Sequence, residues 1–94
     1  MSSSILYEIT KLTGSTASSR RDLETTDELL NVVGYGHLAE LYPEKPEYFE
    51  SLCMHLSTLA RLARQNHERN TSRRIESTLQ RVCRIERHRL LEAA

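Results

Sequence analysis

The stretch Pro46-Glu-Tyr-Phe-Glu-Ser-Leu-Cys-Met-His-Leu-Ser-Thr-Leu-Ala-Arg-Leu-Ala63, followed by the wholly polar run Arg64-Gln-Asn-His-Glu-Arg-Asn-Thr-Ser-Arg-Arg74, decides the fold. In the first part Phe49, Leu52, Cys53, Leu56, Leu59, Ala60 and Ala63 recur at the three- and four-residue spacing of one helix face. Pro46 suits the first position of that helix because its missing N–H is one that the first turn leaves unpaired, and Glu47 and Glu50 complement the positive end of the helix dipole. The second part holds no apolar side chain, glycine or proline. Beyond it Ile75, Leu79 and Val82 resume a stripe, but ~120° round from the first at ~100° per residue, too far for one straight helix to bury both. The sequence therefore predicts a turn around Asn66 to Thr71, with Asn70, Thr71 or Ser72 capping a fourth helix and the two helices forming an antiparallel hairpin. The alternative is one continuous helix of ~45 residues, ~68 Å long, acting as a dimerisation arm.

Working toward the N-terminus, Ile5, Leu6, Ile9 and Leu12 follow helical spacing and Gly14 stands where a C-cap belongs, so a first helix spans about residues 4–13. The small, polar segment after it reads as a flexible loop over about 14–22. Thr25-Thr26-Asp27-Glu28 has the spacing of a capping box and starts a second helix near residue 26. Its expected apolar side is Leu30, Val33, Gly34, His37, Leu38 and Leu41, and Pro43 ends it, giving about 26–42. Gly34 and Gly36 inside this helix imply a kink or the close approach of another helix. No second strand exists for Ile5, Tyr7 and Ile9 to pair with as a sheet. The expectation is a single all-α domain over 1–94, a small bundle of about four helices at about 4–13, 26–42, 46–65 and 72–92.

Composition bounds the rest. Apolar residues make up 38% of the chain, with no tryptophan and one phenylalanine, which implies a thin, leucine-built core shared with a partner. The net charge of zero hides a polarity: residues 1–60 carry nine acids against four bases, and residues 61–94 carry nine arginines against four glutamates. No run long enough to span a membrane occurs, and Met-Ser-Ser-Ser-Ile lacks the basic and apolar regions of an export signal, so the expected location is cytoplasmic. Cys53 and Cys83 are then expected as reduced thiols, and Asn70-Thr71-Ser72 has no meaning as a glycosylation site.

Motifs for chemistry are sparse. Gly14-Ser15-Thr16 lacks the ending of a phosphate-binding loop, and Gly34-Tyr35-Gly36 lacks the third glycine of a dinucleotide site. No hydrolase, zincin or dithiol redox pattern is present. Cys53, His55, Cys83 and His88 have poor spacing for one metal ion, so neither a catalytic residue, a cofactor nor a metal is expected. His37 and His67 project toward apolar stripes and are read as titratable groups or as hydrogen-bonded histidines at the core's edge. Glu86 falls within the stripe of Ile75, Leu79, Val82, Cys83 and Leu90, where it is read equally as a buried carboxylate that needs a cationic partner and sets helix register or dimer specificity, or as part of a frayed, solvated helix end.

Two groups point to binding. Arg73, Arg74, Arg81, Arg84 and Arg87 spread over the side of the fourth helix opposite its stripe, and guanidinium forks hold carboxylate or phosphate bidentately. Tyr42 and Tyr48 flank a corner fixed by two prolines, where tyrosine can bury a ring and keep its hydroxyl wet. The expectation is a non-enzymatic helical protein that binds and modulates, as an inhibitor or other regulator, a protein partner, itself a homodimer. The alternative is a small DNA- or RNA-binding regulator using the arginine-rich helix, which fits less well with zero net charge.

Overall fold

The computed structural model describes residues 4–16 and 22–93. They form four helices and no strand: α1 (Ile5–Ser15), α2 (Leu23–Leu41), α3 (Pro46–Gln65) and α4 (Arg69–Ala93). Helix α3 packs against α2 and α4, and α1 closes the ring by packing against the same two. Contacts from Glu8 to Arg81 and from Ser15 to Arg74 set α1 antiparallel to α4, so the chain runs up, down, up and down.

The hairpin is real, and its turn is tighter than the sequence suggests. Helix α3 ends at Gln65 and α4 begins at Arg69, three residues before the expected start at 72. His67 adopts φ of 61°, Glu68 N–H donates to the Ala63 carbonyl at 2.8 Å, and His67 N–H donates to that of Arg64 at 3.0 Å. This is a Schellman closure with histidine in the left-handed position that glycine normally takes. His67 is therefore an exposed turn residue rather than one aimed at the apolar stripe, and Asn70, Thr71 and Ser72 lie inside α4.

At the N-terminal side the boundaries shift for identifiable reasons. Gly14 is not a cap: α1 continues to Ser15, and Thr16 N–H and hydroxyl both donate to the Leu12 carbonyl. Hydroxyls do the work of a glycine turn, as Thr13 Oγ1 also donates to Ile9 O at 2.8 Å. Of the expected loop 14–22, Gly14 and Ser15 are helical and residues 17–21 lie outside the described residues. Helix α2 starts three residues earlier than the threonine pair suggests, because the Asp22 carboxylate accepts from Thr25 N–H at 2.8 Å and caps it. Aspartate outranks threonine as an N-cap, so Thr25 and Thr26 become first-turn residues.

The core is the α3 stripe plus its facing positions. Leu52, Leu56, Leu59, Ala60 and Ala63 are buried, as expected, and meet Ile75 and Val82 of α4, Leu29, Val32 and Ala39 of α2, and Ile5, Ile9 and Leu12 of α1. The expected side of α2 is the wrong one: Leu30 is 65% and Leu41 68% exposed, Gly34 and His37 face outward, and Val33 and Leu38 are half-buried. The helix instead buries Leu29, Val32, Gly36 and Ala39, because small residues let neighbouring helices come close. A Cβ on Gly36 would stand 3.0 Å from Ile9 Cγ1, whereas one on Gly34 would meet open space. Of the two glycines, only Gly36 serves a close helix approach.

Candidate functional site

The five arginines expected to bind a partner divide by the neighbours of α4. Arg73, Arg84 and Arg87 are exposed, and none has a carboxylate partner among the described residues. Eleven and three residues separate them, which places all three on one outward stripe. Arg74 and Arg81, seven apart, face α1. Arg74 Nη1 donates to the Ser15 carbonyl at 3.4 Å, and Arg81 Nε donates to Glu8 Oε1 at 2.6 Å.

Between α1 and α4 runs a cleft of about 320 Å³ lined by Lys11, Leu12, Ser15, Arg73, Arg74, Ser77, Thr78 and Arg81. Four cations thus border one depression, and Glu8 beneath Arg81 is the carboxylate that reaches them. Lys11 was not among the expected binding residues. Its partner helix is distant in sequence, so only the α1–α4 contact brings it to the arginines.

The aromatic corner lies at the other end of the bundle. Tyr42 and Tyr48 rings stand 6.0 Å apart and tilted by 51°, with Lys45 Nζ 5.9 Å from each centroid. Tyr42 is 44% exposed, while Tyr48 packs against the core. The 20 residues of α3, ~30 Å of helix, separate this corner from the α3–α4 turn and from Arg73 and Arg74 just beyond it. Arg73 and Arg74 therefore share no pocket with the corner, whereas Arg84 and Arg87 lie 11 and 14 residues beyond Arg73 on the antiparallel α4, back toward it. A partner touching both Arg73 and the corner must lie along the bundle.

The carboxylate that needs a cation is Glu8, not Glu86. Glu8 is 5% exposed and held by Arg81, whereas Glu86 is half-buried and Leu90, its neighbour in the expected stripe, is exposed. The signal was present, since Glu8 sits among Ile5, Ile9 and Leu12 at helical spacing. A second cross-bundle knot ties Glu40 of α2 to Arg89 of α4 and to the Leu6 N–H at the start of α1, at 3.0 Å. Burial pushes the Glu40 carboxyl up, but the Leu6 N–H, Arg89 and Ser4 together outweigh it and hold it below the usual carboxylate range. Part of the charge polarity is thus internal, with acids of the first half meeting arginines of the second.

His55 and the two cysteines are held in the packing between helices. His55 Nδ1 donates to Glu28 Oε2 at 2.7 Å, and its ring stacks on Tyr35 with centroids 5.3 Å apart and 11° between planes. The Cys53 and Cys83 thiols are free and half-buried at facing positions of the hairpin. Burial, then the Cys83 thiol and Glu86, push the Cys53 thiol up to about 12, which leaves it a poor nucleophile. Among the described residues no three histidines, cysteines or carboxylates converge as metal ligands, and no helix is long and apolar enough to cross a membrane. A scan against protein-family models, and searches among curated proteins and solved structures, find no match to this chain.

Proposed function

We propose that this chain is a non-enzymatic interaction module that modulates another protein by presenting the outward stripe of α4 to an acidic surface. The observation that carries this reading is the row Arg73, Arg84 and Arg87, exposed and without carboxylate partners among the described residues, while Arg81 and Arg89 are spent on Glu8 and Glu40. Guanidinium groups left unpaired on a helix held rigidly by its other face are ready to engage carboxylates without reorganisation. Tyr42, with Lys45 over its ring, supplies a second, aromatic contact at the far end. An exposed strip on α2, Leu30 and Leu41 with Gly34 and His37 between them, adjoins an apolar cleft lined by Leu6, Ile9, Thr13, Gly14 and Val33, and supports self-association as a homodimer.

Two measurements test the reading. Affinity capture with the native chain is compared with R73E/R84E/R87E, which spares the structural Arg81. A specific partner is retained by the native chain and lost by the variant, and retention by both rejects the arginine stripe as the docking surface. Light scattering then compares the native chain with L30E/L41E. A dimer converted to a monomer supports the α2 strip, and a native monomer rejects it.

A further inference from the structure

The cleft between α1 and α4 has a more specific chemistry than the open arginine stripe beside it. Lys11 approaches from α1, Arg73 and Arg74 from the first turns of α4, and Arg81 lies one further step along. Glu8 neutralises one of these four charges, at 2.6 Å from Arg81, and leaves an excess of three. A single carboxylate would balance little of that excess. A phosphate monoester carries ~1.5 to 2 negative charges near neutral pH and three strong acceptor oxygens. Those oxygens suit donors arriving from two helices, because guanidinium forks on α4 can take two of them and an ammonium on the α1 wall the third. Ser77, which lines the same cleft, makes no hydrogen bond through its hydroxyl among the described residues. At about 320 Å³ the cleft is larger than a bare anion requires and accommodates the side chain that carries one.

We infer that this cleft is a recognition site for a phosphorylated side chain on the partner protein, with Arg73, Arg74 and Lys11 as its anion ligands and Arg81 as the wall fixed by Glu8. The inference rests on the acidic-partner reading and names the class of group that partner offers. A nucleic-acid backbone fits less well. Its diesters carry one charge each in a long row, and the outward acids of α2 and α3, among them Glu24, Asp27, Glu47 and Glu50, repel a polyanion.

The test is a titration of the isotope-labelled chain, followed by amide chemical shifts, with four probes: inorganic phosphate, a short neutral peptide bearing one phosphoserine, the same peptide with glutamate in its place, and a single-stranded oligonucleotide. Saturable shifts at Lys11, Ser15, Ser77 and Thr78 with the phosphoserine peptide are the expected result, weaker with inorganic phosphate. R73Q/R74Q and, independently, K11Q should each lower that affinity by about 10-fold or more, and R61Q on α3 should leave it unchanged. Equal weakening by R61Q, or equal binding of the glutamate peptide, overturns the phosphate site while leaving the acidic-partner reading intact. Tighter binding of the oligonucleotide overturns both, and the absence of saturable binding by the phosphoserine peptide overturns the phosphate site alone.

Discussion

Helices α3 and α1 are both central to the bundle, yet they are held by different forces. Helix α3 buries six leucines and alanines between α2 and α4, and the His55–Glu28 pair to α2 and the Arg64–Glu76 pair to α4 are polar additions to that apolar seam. Helix α1 is half as long and contributes Ile5, Ile9 and Leu12, with Glu8 buried among them and bound to Arg81 and with its first turn tied to Glu40. Apolar burial depends on contact area and is neither screened by salt nor titrated by acid, whereas ion pairs at a half-open interface weaken with both. The bundle therefore has a leucine-held hairpin and a charge-tethered N-terminal helix. The proposed cleft sits on the seam of the second kind.

The largest effect should come from α3. Leu56→Ala empties a fully buried position and should cost about 2–5 kcal/mol in chemical denaturation, unfolding the bundle as one unit. Arg81→Ala should cost less, about 1–3 kcal/mol, because it strands the Glu8 carboxylate under apolar neighbours while the Arg81 side chain is 39% exposed and partly screened. Hydrogen exchange should show that loss in α1 amides first. If α3 amides lose protection equally, the distinction between the two helices fails.

His67→Gly should stabilise the hairpin by about 1 kcal/mol, since it relieves a left-handed conformation at φ 61° that only glycine adopts without strain. A thermal melt that rises for this variant and not for a substitution at the neighbouring Asn66 checks it. The two glycines of α2 sharpen the α1 side. Gly36→Ala presses a Cβ on Ile9, a stiff and fully buried side chain, and should destabilise by about 1 kcal/mol despite better helix propensity. Gly34→Ala, with nothing nearby, should instead stabilise by about 0.5–1 kcal/mol. A gain at both positions would mean that α1 does not seat closely on α2.

The smallest effect is acid sensitivity. The Glu40 carboxyl is held below its ordinary 4.5 in the folded chain, so its contribution is present above that value and is lost as pH falls through the folded one. Amides at the start of α1 should lose protection as pH drops below about 4.5, and E40Q should remove that step while leaving the α3–α4 hairpin unaffected.

Much of this was legible in the residues. The phase of α3 was plain because its apolar positions form one unbroken stripe, and the hairpin followed because the α4 stripe could not share its face. The phase of α2 was not, since two stripes compete there. The one with more leucine, through Leu30 and Leu41, lost to the one with Gly36 and Ala39, because packing between two neighbouring helices rewards small residues that sequence hydrophobicity undervalues. Helix ends moved where an Asp22 carboxylate or a Schellman turn without glycine outcompeted the expected caps.

By itself, then, the sequence determined an all-α chain, the number of its helices, the seam of α3 and the break before α4, all of which depend on spacing along one helix. Tertiary structure alone decided which face of α2 is buried, that Arg81 is the cation that meets Glu8, and that Lys11 joins Arg73 and Arg74 around one cleft. Those outcomes depend on which helices become neighbours, and residues some sixty positions apart meet only when the bundle closes.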